Sequence, residues 1–477
     1  MSDATEANDL ASLGYKQELK RDVSAFQNFA LSFSVISVLT GAVTLYDHGL
    51  TWGGPFAMTV GWPLVVLGTL CIASSLAELA SAFPTAGALY HWASILGGTG
   101  AGWGTAWLNT LGQFAITAGI DYGLAEFLAP LLGMEADLSH VLPLFVLLLT
   151  SHAVLNHVGI KVVAFFNVVS AWYHVAGVVV LAGAVLLLAP KQPVSFLFET
   201  VTPPTGAWLP GFFVALLQAG WTFTGYDASA HASEETHDAA INAPRGILTA
   251  VIASAIAGWV LIIGVTLAIP SLPQALDAPN AFLFVLEHSL GRFGTVLVWV
   301  CVGAMWFCGL ASVTSNSRML WAFARDGGLP GSAQLSKVSP KWQTPHVAIW
   351  VSVVCALGVA FLAVGLGSFL KTTTSSALST VTAVSTVALY SSYGLPILMA
   401  LLARKRGWPR KGPWTLGRFG AALNVAAIVW IVFMSVLMSV PPTGEVGVTM
   451  GAMAVVLVVA WFGGVRRHFK GPIIPTS

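Results

Sequence analysis

Asp227 is the residue whose chemistry most needs explaining. It closes the run Trp221-Thr222-Phe223-Thr224-Gly225-Tyr226-Asp227, in a stretch otherwise apolar enough to sit in lipid. A carboxylate at that depth costs about 3 kcal/mol or more without a partner. A second run, Ser37-Val38-Leu39-Thr40-Gly41, places two hydroxyls and a glycine in another apolar stretch. Both runs disfavour a continuous helix. A broken membrane helix frees N–H groups for a carboxylate and C=O groups for an ammonium or a cation. Gly41 and Gly225 stand 184 residues apart (225 − 41), which suits matching points in two five-helix halves, the second inverted. Gly and Thr also serve simply to ease helix packing. For Asp227 the favoured expectation is an N-cap on a short helix after the break, with direct amine binding second.

The elements that must position these runs follow from composition. Of 477 residues, 56% are hydrophobic and only 9% charged, too few charges to cover a soluble surface. The net charge of +1 and the lack of a basic stripe argue against nucleic acid. Cys71, Cys301, Cys308 and Cys355 lie in apolar stretches and read as small buried hydrophobes. A span needs about 20 apolar residues. On that basis the chain is an all-α integral membrane protein of twelve helices: 25–48, 55–80, 101–130, 140–156, 160–189, 208–231, 246–270, 292–324, 346–366, 375–402, 418–440 and 446–465. With the N-terminus inside, all Lys and Arg except Lys191, Arg292 and Lys371 fall on the cytoplasmic side, 18 of 21 (21 − 3). Both termini are then cytosolic, and the protein is a multi-pass component of the cytoplasmic membrane. Segment 1–22 is a cytosolic tail rather than a signal peptide. The first repeat is 23–190 and the second 200–403. Segment 404–465 holds two further helices and a basic loop facing lipid headgroups, and 466–477 is the second cytosolic tail.

Glu78, Glu234, Glu235 and Arg318 fall near cytoplasmic helix ends. They suit an inner gate, although solvated interfacial charge is the simpler expectation. Asp121 and Glu126, in the outer part of the third helix, either draw cations into an outward vestibule or are paired within the bundle. No G-x-x-x-x-G-K-[ST] run offers an ATP site. No H-E-x-x-H or nucleophile–base set supports an enzyme, and no cofactor or metal is expected. A channel would want a repeated filter loop and a sensor a signalling domain, and neither is visible.

Several stretches carry a family resemblance: 13–21 (LGYKQELKR), 32–41 (SFSVISVLTG), 78–90 (ELASAFPTAGALY), 224–231 (TGYDASAH) with Glu234-Glu235-Thr236, 315–318 (SNSR) and 324–330 (ARDGGLP). Together they resemble the amino acid–polyamine–organocation transporters, in the branch that includes 4-aminobutyrate and choline permeases. The resemblance implies two intertwined inverted five-helix repeats plus two extra helices, and alternating access by a secondary transporter. It implies that the backbone of Ser37, Val38, Leu39, Thr40 and Gly41 holds one end of an amino acid or small amine. The backbone of Thr222, Phe223, Thr224, Gly225 and Tyr226 would hold the other, with Trp221 as a gate and Gln113 as a pocket wall. Many sodium-independent relatives place a Lys in the middle of the fifth helix. Here the titratable group in that region is His174, which can gain and lose a proton near neutral pH. It is expected either to link a coupling proton to transport or to be a satisfied structural histidine. Ser312, Thr314 and Ser315 keep sodium open as the alternative.

Overall fold

The computed structural model describes residues 10–472 except 12, 14, 205, 370–373, 408–409 and 440–443, and omits the side chains of 160, 364–369 and 374–377. Parts of the two expected tails (1–9 and 473–477), Gly14 and Lys371 therefore lie outside the described residues. The order of helices is α1 (Ala25–Ile36), α2 (Val38–Thr44), α3 (Tyr46–Phe56), α4 (Trp62–Ala82), α5 (Leu89–Gly97), α6 (Thr99–Leu131), α7 (Leu138–Val158), α8 (Ile160–Leu188), α9 (Trp208–Ala215), α10 (Leu217–Thr222), α11 (Ala228–His231), α12 (Ala239–Leu267), α13 (Leu272–Asp277), α14 (Ala281–Leu290), α15 (Arg292–Arg325), α16 (Ser332–Leu335), α17 (His346–Phe369), α18 (Thr374–Arg406), α19 (Gly420–Leu437), α20 (Gly444–Ala460) and α21 (Arg466–His468). Among the described residues, 11 helices are long and apolar enough to cross a membrane. The remaining expected span, 208–231, comes instead as the three short pieces α9, α10 and α11.

Burial sorts the helices into inner and outer. The buried share falls from 83% in Ala25–Thr44 to 6% in Gly444–His468, so the first span lines the interior and the last packs mainly at the periphery. On α19, Val425, Val429, Val432 and Val436 are exposed at helical spacing, an apolar face suited to lipid. The long α6 packs against α5, α7, α15, α17 and α18, which makes it the central post. The chain between the first two expected spans kinks at Gly54 (φ 69°, ψ −170°), six residues beyond the expected end at 48 (54 − 48).

The ends of the first and sixth segments meet. Val23 N–H donates to Glu235 O at 2.9 Å and His237 N–H donates to Val23 O at 2.9 Å. This isolated parallel bridge joins the entry to α1 with the exit from α11.

Candidate functional site

The first break is a single residue. Ser37 adopts φ 31°, ψ 84°, a left-handed conformation uncommon for a residue with a Cβ. Its hydroxyl lies 2.5 Å from Thr40 Oγ1 and 2.6 Å from His174 Nε2. His174 Nδ1 stands 2.8 Å from the Ser170 carbonyl. A carbonyl only accepts, so that nitrogen carries a proton. In the neutral ring Nε2 then accepts from Ser37. Thr40 and Gly41 N–H groups bond Ser37 O at 2.8 and 2.9 Å, and Ser37 N–H bonds Phe33 O at 3.1 Å. Val38 and Leu39 begin α2, where N–H groups lack an intrahelical partner; no described hydrogen bond uses them.

Gly41 does a different job from the expected one. Its backbone is helical, but a Cβ there would stand 2.8 Å from the Thr222 Cα. The glycine lets α2 and α10 touch backbone to backbone.

The second break is wider. Helix α10 ends at Thr222, Phe223 leaves helical geometry (φ −89°, ψ 54°), and Gly225 takes φ 79°. Side chains hold this segment. Gly225 N–H donates to the Tyr393 hydroxyl at 3.1 Å, and Tyr393 donates to Asp227 Oδ1 at 2.8 Å. Ser32 donates to Tyr226 O at 2.6 Å, Thr224 to Trp221 O at 2.6 Å, and the Phe223 ring packs on Trp62 with centroids 4.9 Å apart. Asp227 corrects the cap expectation: its side chain makes no cap hydrogen bond to α11. Its carboxylate is fully buried and engages Tyr393, His231 Nε2 at 3.1 Å and Asn109 Nδ2 at 3.4 Å. Aspartate here braces the break from behind.

Between the breaks lies a cavity of about 10 Å³ lined by Val35, Ile36, Thr40 and Gly41 of the first segment, Ile116 and Ile120 of α6, Trp221 and Thr222 of α10, and Cys308 of α15. That is room for about one water molecule, so the two breaks are closed on each other. Among the described residues, no charged side chain lines it, and the Trp221 indole N–H is buried with no protein partner.

Thus Thr40, Gly41, Trp221 and Thr222 of the expected residues form the wall. Ser37, Val38 and Leu39 adjoin it, and Phe223 to Asp227 form its brace. Gln113 stands outside this wall: it bonds Ser315 Oγ at 3.4 Å and accepts at its carbonyl from Asn316, so it ties α6 to α15. Ile116 and Ile120, missed from sequence, follow at three and seven residues beyond Gln113 (116 − 113, 120 − 113), the same helical face. Cys308 and Tyr393 gave no such signal.

The expected gate residues are inside the protein, which corrects the picture of solvated interfacial charge. Arg318 holds Glu235 through two bonds of 3.1 and 3.2 Å, both side chains fully buried. Glu234 pairs with Arg325, a residue not anticipated, at 2.9 and 3.0 Å, and accepts from Ala86 N–H at 3.1 Å. Glu78 is separate, paired with Arg404 and accepting from Leu416 N–H at 2.9 Å. Beside them Asp326 accepts from Tyr90 at 2.7 Å and Tyr15 at 2.9 Å and meets His91 at 3.1 Å. Burial would raise the pKa of Asp326, but His91, Arg325 and Tyr90 outweigh it and hold it below the usual carboxylate range. Glu234 is lowered likewise: burial opposes, and the Arg325 charge prevails. The hydroxyls named for sodium are engaged elsewhere: Ser312 with Thr117 at 2.7 Å, Thr314 with Asn156 at 2.8 Å, and Ser315 with Gln113.

An all-helical membrane fold with a small cavity between two interrupted helices defines a carrier-type integral membrane protein. Comparison sharpens this. A family model for amino acid permeases matches residues 23–462. The chain is 38% identical to the amino-acid permease BAT1 homolog of Oryza sativa subsp. japonica and 36% to amino-acid permease BAT1 of Arabidopsis thaliana, each over 97% of this chain and 95% of the relative. It is 30% identical to a GABA-specific permease of Saccharomyces cerevisiae over 75% of this chain and 67% of that protein. The chain belongs to the amino acid permease family, and is a membrane transporter rather than an enzyme.

Proposed function

We propose that the protein carries an amino acid, or an amine-bearing acid of the 4-aminobutyrate class, by alternating access through the cavity between the two breaks. The observation that carries this is the facing of two helix ends of opposite polarity. The first turn of α2 presents N–H groups and a positive dipole end; the last turn of α10 presents a negative end, where Gly220 O and Trp221 O already accept from Tyr390 and Thr224 and Thr222 O is the carbonyl left for a ligand. A carboxylate suits the first and an ammonium the second, with the Trp221 N–H as a further donor and the Thr40 and Thr222 hydroxyls, which donate to Ser37 Oγ and Gln218 O, as acceptors. The apolar wall then selects size without paying to bury a side-chain charge.

His174 is the proposed coupling group within this reading. It bonds the one residue that forms the first break, so adding a proton to Nε2 forces the Ser37 hydroxyl to turn and changes the mouth of α2. The Lys and Arg bias supports a cytosolic position for the ion-paired end, with both chain termini on that side of the cell membrane. Sealing of that end by Arg318–Glu235 and Arg325–Glu234 describes a carrier closed inward.

Counterflow in proteoliposomes tests the carrier: labelled amino acids or 4-aminobutyrate should enter transiently against their gradient. Monodisperse protein giving no counterflow with any of them ends the proposal. For His174→Gln, uptake is expected to lose its pH dependence. Full retention removes His174 and favours exchange without ion coupling.

A further inference from the structure

An acid–base pair lies where α6, α7 and α15 meet, and neither break uses it. Asp121 of α6 and His152 of α7 are both fully buried, with Oδ1 and Nδ1 3.2 Å apart. Among the described residues, neither carboxylate oxygen and neither ring nitrogen has an aligned hydrogen-bond partner. Gly309 of α15 makes room for them: a Cβ there would stand 2.5 Å from Asp121 Oδ1 and 2.6 Å from His152 Cε1. Trp306 covers the imidazole, with ring centroids 5.2 Å apart. The pair sits directly behind the cavity wall on two helices, since Ile120 precedes Asp121 and Cys308 precedes Gly309. Four residues before Asp121, the Thr117 hydroxyl bridges to Ser312 at 2.7 Å and ties the same two helices (121 − 117).

Charge neutrality decides what such a pair must hold. A carboxylate beside a neutral imidazole leaves one net negative charge in apolar surroundings, which is costly. One added proton makes the pair neutral overall, whichever atom carries it.

The other titratable groups on the helices packed here are Tyr122 and Glu126 on α6, His140 and His157 on α7, Arg292, Cys301 and Cys308 on α15 besides its two ion-paired arginines, and His346 and Cys355 on α17; α2 carries none. On neighbouring α8, His174 is engaged with Ser37 and Ser170. On α18, Tyr393 is engaged with Asp227, and on α15 the guanidinium groups of Arg318 and Arg325 are held by Glu235 and Glu234.

We infer that Asp121 and His152 together form a proton-binding site, filled while the cavity is closed and discharged to water when α6 and α15 part. The proton site stands on its own geometry; only its role in transport rests on the carrier reading.

The test is infrared pH-difference spectroscopy on the full chain in bilayers, with ¹³C-labelled aspartate. In the wild type a carboxyl band and an imidazole signal should titrate together. Asp121→Asn should abolish that carboxyl band, and His152→Gln should move its titration midpoint by about one pH unit or more. A band that survives Asp121→Asn, or ignores His152→Gln, overturns the site. Proteoliposomes with a trapped pH dye then read its role, using a mixture of the standard amino acids and 4-aminobutyrate. Substrate entry should acidify the lumen in the wild type and in Asp121→Glu, but not in Asp121→Asn, which should keep counterflow. Acidification undiminished in Asp121→Asn, or absent from a wild type that shows counterflow, overturns the coupling. Absence of counterflow in the wild type overturns the carrier reading instead, and the spectra still decide the proton site. If Asp121→Asn does not assemble, His152→Gln and Asp121→Glu carry the spectral test.

Discussion

The two breaks present similar peptide ends by opposite means. The first turns on one strained residue, Ser37, steadied from the side by the imidazole of His174. The second opens from Phe223 to Asp227 and is fastened from behind by Tyr393, Asp227 and Ser32. A single hydroxyl–imidazole contact is easily switched; a multiply bonded brace is not. The difference assigns adjustment to the first break and anchorage to the second.

The comparison can be broken most forcefully at Gly225. Its Cβ would lie 2.3 Å from Val35 Cγ1 at φ 79°, so Gly225→Val should cost several kcal/mol, roughly 3 or more from strain and overpacking together, and abolish uptake. Gly225→Ala should lose less, and Val35→Ala should restore part of that loss in a double-mutant cycle of melting temperatures. No recovery would mean that the segments do not meet there. Next, Tyr393→Phe strips a partner from both Gly225 N–H and Asp227 Oδ1. A loss of about 3 kcal/mol is expected, with uptake falling by weakened binding. Ser37→Ala should cost less, about 1.5 kcal/mol, yet change the pH profile of uptake, which Tyr393→Phe should leave in place. If the two swap these effects, the division between adjustment and anchorage is wrong.

The smallest effect lies at the ion-paired end. Asp326 has a depressed pKa in the folded protein. Its contribution is complete above the ordinary aspartate value of about 3.9 and drains as pH falls through the lower folded value. Asp326→Asn should therefore cost about 1 kcal/mol at neutral pH, with the two melting curves converging in acid. A gap that persists in acid would show that packing, not charge, holds this corner.

The span pattern was legible because lipid demands long apolar runs and Lys and Arg mark their ends. The sixth segment was legible as a break because Gly225 and Asp227 sit where a continuous helix has no use for them. The first was located to 37–41 from two hydroxyls and a glycine; within that run Ser37 makes the turn and Gly41 provides room for Thr222. No sequence signal could have shown that Asp227 would be braced by Tyr393, 166 residues away, or that Asp121 would meet His152 across two helices. Such pairings are set by helix packing, which leaves no local periodicity. The arginines show the same limit, since a cation at a helix end looks alike whether it meets water or a buried glutamate.

The short backbone bridge between Val23 and Thr236 has a mechanical consequence. It staples the outer ends of both interrupted segments through peptide groups, which side-chain truncation to alanine leaves in place. A displacement of one end is therefore passed to the other through two peptide hydrogen bonds.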